Sequence, residues 1–204
     1  MSVQEQVMES PMSELPPTQS LLRGARVHLR PTMNKDLDEL YRRHIELPSR
    51  GRWFPTNVRS EAEFQALYAK DGRWGEDLGI MQVVQNGDEA LVGYLSFSRT
   101  VADVDEINLG YFTYPEYRGQ GYASEATGLF TEYLFATRRD MNRAALYIHP
   151  NNAASLRLAE RCGFTYEGRI REGWFNLSEW HDLLVYGLLR RELRDGRAPT
   201  PTNP

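Results

Sequence analysis

Hydrophobic and polar positions alternate along the middle of the chain with two different periods. At 25–30, Val27 and Leu29 face one way and Arg26, His28 and Arg30 the other, which predicts a strand closed by Pro31. Leu37, Leu40, Tyr41, His44 and Ile45 recur at helical spacing, so a helix is expected there, ended by Pro48. Ser60 and Glu63 have capping-box spacing, and Phe64, Leu67 and Tyr68 form the stripe of a second short helix. Runs at 79–85 and 90–98 read as strands joined by the hairpin signal Asn86-Gly87-Asp88. A strand at 106–113 carries Ile107, Leu109 and Tyr111 on one face. A helix over 123–136 follows, with Ala126, Phe130, Tyr133 and Leu134 as its stripe. A strand at 144–149, a helix at 153–161 stopped by Gly163, and a late strand at 183–189 complete the pattern. This order predicts a mixed α/β domain around a central sheet.

Composition narrows the picture without changing it. A chain of 204 residues, 41% hydrophobic and 25% charged, forms one domain with a sizeable core. A net charge of −4 gives no bulk electrostatic reason for a nucleic-acid partner. No apolar run approaches the roughly 18 residues of a membrane span. The stretch 1–20 is rich in Pro, Ser, Gln and Glu and has no apolar segment of signal-peptide type. With the single cysteine, Cys162, unable to form an internal disulfide, a cytoplasmic location is expected. Residues 1–20 and 195–204 read as flexible arms around a domain at 21–194.

The strongest local feature is Arg118-Gly119-Gln120-Gly121-Tyr122-Ala123, set between a strand and a helix. Two glycines allow a sharp turn and close approach to a ligand. The amides that follow open a helix, where free donors and the dipole favour a phosphate. No Lys-Ser/Thr pair follows and the third glycine of a dinucleotide fingerprint is absent, so neither of those motifs fits. Taken alone, the segment also reads as a tight turn capping a helix.

A second block removes that ambiguity. Arg118-x-x-Gly121-x-Ala123 resembles the acyl-CoA loop of the GNAT superfamily, Arg/Gln-x-x-Gly-x-Gly/Ala. Asn152-Ala153-Ala154-Ser155, then Gly163-Phe164 and Glu167-Gly168, resemble the Asn-x-x-Ser … Gly-Phe … Glu-Gly pattern of the RimJ/RimL branch, which acts on ribosomal-protein N-termini. Trp180-His181-Asp182 also matches that branch. The resemblance implies an α/β GNAT fold: a mixed, mostly antiparallel sheet flanked by helices, with an acyl-CoA cleft between splayed strands. It implies an N-acetyltransferase that moves acetyl from acetyl-CoA to a primary amine by direct attack in a ternary complex.

By the same resemblance, the turn of Gly119, Gln120, Gly121, Tyr122, Ala123 and Ser124, headed by Arg118, holds the pyrophosphate. The backbone at Phe112 and Thr113 pairs with the pantetheine arm, Asn152 contacts it, and Ser155 protonates the departing thiolate. Helical spacing places Ser155 with Leu158, Ala159 and Cys162 on one face, although an N-terminal serine bonding its own backbone reads the same way. Attack needs a neutral amine, and reference pKa values of about 8 for an α-amine and about 10.4 for lysine mean that a proton must leave first. Glu106 is the first candidate base and Glu172 the second; a solvated strand-end carboxylate is the plain alternative for Glu106. Trp174 stands where the branch often has a carboxylate, which opens the question of the acceptor.

Arg50, Arg52, Trp53 and Phe54, with Trp74 further on, are candidate acceptor-binding residues, together with Glu172 and Trp174. Arginines beside aromatics suit a carboxylate or a planar group, and a loop packing its aromatics on the domain reads equally well. The histidines lack metal-ligand spacing, so no metal is expected. Peptide N-termini and small amines stand as acceptors, and the resemblance leaves a homodimer open. Another donor such as succinyl-CoA, or a non-catalytic acyl-CoA sensor, are the remaining alternatives.

Overall fold

The chain builds its sheet from the alternating segments and covers it with the helical ones, as seen in a computed structural model that describes residues 22–99 and 105–194. The arms expected at 1–20 and 195–204 lie outside the described residues. Strands β1 (Val27–Pro31), β2 (Leu78–Gln85), β3 (Leu91–Ser98) and β4 (Glu106–Thr113) form an antiparallel run. β5 (Arg143–Ile148), β6 (Thr165–Asn176) and β7 (Glu179–Leu189) complete a sheet of order β1-β2-β3-β4-β5-β7-β6. The pair β4–β5 is parallel; every other neighbouring pair is antiparallel. This is the mixed, mostly antiparallel α/β sheet flanked by helices that the motifs imply.

Helices α1 (Leu37–Ile45), α2 (Leu47–Arg50) and α3 (Glu61–Asp71) precede β2, α4 (Tyr122–Thr137) links β4 to β5, α5 (Ala153–Arg161) follows β5, and α6 (Arg190–Arg194) follows β7. α3 starts where the capping pattern puts it: the Ser60 hydroxyl accepts from the Glu63 N–H at 3.3 Å, a cap of the kind worth about 1 kcal/mol. α5 is closed just beyond its last turn by Gly163, at φ +86°, while the Phe164 N–H donates to the Ala159 carbonyl at 2.9 Å. Pro48 does not simply end α1. It opens the single turn α2, where its missing N–H costs nothing.

One sheet face packs under α4, where Ala126, Phe130 and Leu134 meet Leu29, Phe97, Ile107 and Leu109. The other face forms a smaller aromatic core in which Leu40 and Phe64 meet Leu91, Phe112 and Tyr114. The hairpin β6–β7 is longer than expected. β6 is an edge strand whose residues are mostly exposed, so it lacks the apolar alternation that announces a strand.

The feature that positions the site is a pairing that stops. β4 and β5 pair only through Glu106↔Arg143, Ile107↔Ala144 and Asn108↔Ala145. Beyond Asn108, β4 stays on β3 while β5 stays on β7, so the two strands part in the middle of the sheet.

Candidate active site

At the open end of β4 the chain turns through two left-handed glycines, Gly119 (φ +75°) and Gly121 (φ +81°), and enters α4. Gly121 is the N-cap of α4 and no side chain caps that end. The first amides of a helix have no partner inside it, so these donors are available. Behind the turn, Arg26 donates to the Gln120 carbonyl at 2.6 Å, to the Gly121 carbonyl at 3.4 Å and to the Glu125 carboxylate at 2.8 Å. In a trans peptide the C=O and N–H point opposite ways. Anchoring those two carbonyls on Arg26 therefore turns the Gly121 and Tyr122 amides away from it, toward the cleft.

That cleft, of about 610 Å³, runs between the open edge of β4 and the start of α5. Its lining brings together Phe112, Thr113, Arg118, Gly119, Gly121, Tyr122, Ala123, Ser124, Asn152 and Ser155, all expected there from the motifs. Strand parity refines the part played by β4. The Tyr114 N–H donates to the Val92 carbonyl on β3, and residues two apart along a strand direct their peptide groups the same way. Phe112 therefore spends its groups on β3, while Tyr111 and Thr113 present theirs to the gap. Arg118 donates to the Thr113 carbonyl at 3.1 Å and to the Ser49 carbonyl at 2.6 Å, so it also ties this edge to α2.

Asn152 caps α5, its side chain accepting from the Ser155 N–H at 3.3 Å, and this fixes Ser155 at the first turn. The Tyr111 hydroxyl is buried beside Ser155 without a well-formed hydrogen bond. Burial pushes Tyr111 up to about 12, against the pull of the Ser155 hydroxyl. Cys162, on the same helix, packs with its Sγ 3.4 Å from the Ser124 carbonyl, and burial lifts its thiol to about 11. It is an inert packing group at neutral pH.

Several expected residues lie elsewhere. Trp74 is corrected to a core residue: its ring packs on Phe97, Phe130 and Tyr133, under α4 and away from the cleft. Glu106 sits at the closed end of the β4–β5 pair, roughly 17 Å along the strand from Tyr111 at about 3.3 Å per residue. Its carboxylate accepts from Arg143 at 2.5 Å and from the Tyr147 hydroxyl at 2.9 Å. Glu172 is exposed in a β6 bulge, with φ of +49°, and its N–H donates to Asp182 at 2.7 Å. Neither carboxylate lines the cleft. The Gln120 side chain turns back onto the Glu116 carbonyl at 3.0 Å, so only its backbone belongs to the turn.

The loop after α2 divides in function. Trp53 and Phe54 line the cleft, and Arg52 lies exposed over the Trp53 ring at 4.5 Å. Trp53 stacks at 4.1 Å on His149, which faces His181, with Trp174 5.8 Å from His181. Burial, then the neighbouring His181 and Arg52, hold His149 below its ordinary range. Arg50 is buried, and its guanidinium donates to the carbonyls of Pro55, Asn57 and His44, fixing the loop from inside. Sequence reasoning passed over Arg26, Tyr111, Arg157 and Arg161; Arg26 is 95 residues from Gly121, and no local spacing announces the contact. Among the described residues no group of three His, Cys, Asp or Glu side chains could hold a metal ion, and no helix is long and apolar enough to cross a membrane.

Residues 26–165 match the model of the acetyltransferase (GNAT) domain. The chain therefore belongs to the GNAT acetyltransferase family, enzymes that move an acetyl group from acetyl-CoA to an amine, and it is an acyltransferase of that family. Its relatives include YdaF of Bacillus subtilis, a candidate ribosomal N-acetyltransferase, 29% identical across 78% of this chain and 88% of that protein. Among solved structures, the fold resembles the Vibrio cholerae spermidine N-acetyltransferase in complex with CoA and spermine. The TM-score there is 0.73 at 20% identity, over 84% of this chain and 99% of that one. It also resembles RimL, the ribosomal L7/L12 α-N-protein acetyltransferase bound to coenzyme A, with a TM-score of 0.67 at 20% identity over 81% and 95% of the chains.

Proposed function

We propose that the cleft binds acetyl-CoA and that the chain acetylates a primary amine directly, without an acyl-enzyme stage. The observation that carries this reading is the meeting of three unspent features in one cleft. They are the uncapped amides at the start of α4, the open edge of β4 beyond Asn108, and Ser155 beside the buried Tyr111 hydroxyl.

Each fits a different part of an acyl-CoA. The turn 119–124 offers fixed N–H donors to a pyrophosphate, with Arg157 and Arg161 along the same rim for further phosphate charge. The Tyr111 and Thr113 edge offers strand-type hydrogen bonds to a pantetheine amide. When bound, acetyl-CoA supplies the activated acetyl group. An open-edge N–H of β4 stabilises negative charge developing on the carbonyl oxygen, and Ser155 gives a proton to the leaving sulfur, with Tyr111 able to replenish it. Ser155 is on the first turn of α5, where the helix dipole also favours a thiolate nearby.

No carboxylate lines the cleft among the described residues, whereas Arg118, Arg157 and Arg161 do. A positive field disfavours an ammonium and so favours the neutral amine that must attack. The chain thus assists deprotonation by its field, with water taking the proton, and Glu106 acts as a structural partner of Arg143. The acceptor is a peptide α-amine or a small primary amine. Replacing Gly121 with Glu fills the phosphate site with bulk and negative charge. Acetyl-CoA binding by calorimetry should then vanish, and an unchanged affinity would remove the turn from the site.

A further inference from the structure

A second cavity, of about 190 Å³, shares Phe54, Phe112 and Arg50 with the cleft and lies under α1 and α3. Its floor is aromatic, including Phe64, Tyr68 and Tyr94. Its charged lining is of one sign: Arg43, Arg50, Arg59 and Arg73, with no Asp or Glu among the described lining residues.

The four arginines are not equivalent. Arg43 is paired with Glu39 and Glu116, and Arg59 with Glu63, so their charge is largely offset from outside the cavity. Arg50 is 9% exposed and donates to neutral groups, the carbonyls of His44, Pro55 and Asn57. No carboxylate lies within ion-pair distance of it among the described residues. Buried charges are normally paired, because an unpaired one loses its hydration without compensation. His44 adds nothing to offset it: burial, then Arg50 and Arg59, hold its ring below the ordinary range, so it is neutral. The Arg73 guanidinium has no ion-pair partner among the described residues either, and its backbone sits at φ +57°, a conformation that aims the residue at the cost of strain. A buried unpaired cation and a second free one, around an aromatic floor, match a ligand with an anionic group on an apolar body.

We propose that this cavity receives the non-reacting part of the acceptor, and that the acceptor is an amine carrying a carboxylate on a planar or apolar body, read by Arg73 and by the fixed charge of Arg50. The proposal rests on the acetyltransferase reading above, because the shared wall at Phe54 and Phe112 is what brings an amine on such a molecule to the cleft. Arg50 contributes charge rather than a fork, since its two terminal nitrogens are already engaged with three backbone carbonyls. Arg73 supplies the hydrogen bonds. A polycation such as spermidine is repelled by the same lining.

The test separates binding from turnover. CoA-loaded protein is titrated calorimetrically with phenylacetate and with phenethylamine, the same ring and chain ending in a carboxylate or an ammonium. Phenylacetate should bind at least tenfold tighter, and Arg73→Asn, which tolerates the left-handed backbone, should reduce that preference at least fivefold while leaving CoA affinity unchanged. Equal binding of the two, preference for phenethylamine, or binding of neither overturns the proposal. In parallel, acetylation of phenylalanine is compared with phenylalaninamide and spermidine. Faster turnover of the amide or the polyamine overturns the carboxylate assignment while leaving the acetyltransferase reading intact, and failure of acetyl-CoA itself to bind would sink that reading instead.

Discussion

Gly121 is where the backbone argument meets the binding argument, so its replacement by alanine is the most informative small change. At φ +81° an L-residue pays about 1–2 kcal/mol. The new Cβ would stand 3.0 and 3.2 Å from the two terminal nitrogens of Arg26, which can swing aside only by loosening the bond to the Gln120 carbonyl. A loss of about 1–2 kcal/mol in a domain of this size lowers the melting temperature by about 3–6 °C. If the turn instead relaxes away from its anion-binding shape, the same free energy appears as about a 5- to 30-fold weaker affinity for CoA, at 1.4 kcal/mol per tenfold. Gly128 is the internal control: it lies inside α4, and a Cβ there meets nothing within 4 Å. Gly128→Ala should raise stability by about 0.5–1 kcal/mol without touching CoA affinity. Thermal melts with and without CoA, alongside calorimetry, read both effects. If Gly121→Ala is as stable as the parent and binds CoA equally well, the strained-turn account is wrong.

Ser155→Ala should lower kcat about 100-fold, the scale of a lost general acid, with CoA affinity within threefold; an unchanged kcat would strip Ser155 of its role. Glu106→Gln should cost about 1–3 kcal/mol of stability, because Arg143 and Tyr147 lose a charged acceptor, yet leave the pH–rate profile in place. Loss of the ascending low-pH limb in Glu106→Gln would restore it as the base. The rate itself should rise with pH up to the pKa of the acceptor amine, seen as a limb that moves when acceptors of different basicity are compared. Asp36 predicts acid behaviour. Burial pushes its carboxyl up, but hydrogen bonds from Arg30 and the Met33 N–H outweigh this and hold it below the ordinary range. A depressed folded-state pKa contributes stability that is present above about pH 4 and lost as pH falls below it. Asp36→Asn should therefore flatten stability against pH in that window, as denaturant titrations would show.

The sheet and the glycine turn before α4 were legible because they rest on local rules. Alternation gave β1 to β5, capping gave α3 and α5, and two glycines before a helix gave the left-handed turn that opens α4. What failed had long-range causes. β6 was missed because an edge strand has no buried face to impose a pattern. Glu106 looked like a base because it opens the right strand, but only tertiary pairing with β5 shows that it opens the closed end. Trp74 sits near other aromatics in sequence pattern alone; the bridge between Trp74 and Gly79 folds it into the core. The arginine-lined cavity was foreshadowed by Arg50 and Phe54, whereas Arg73 enters from the other side of α3, and no spacing rule connects them.

The most direct test of the central claim is single-turnover mixing of the protein with acetyl-CoA and a panel of α-amine peptides, amino acids and polyamines. Free thiol, product mass and intact-protein mass are read on the same quenched samples. Direct transfer predicts one thiol released per acetylated amine, with the protein mass unchanged at every time point. An acetylated protein that forms and decays as product appears, or acetyl-CoA held without thiol release across the whole panel, would contradict it.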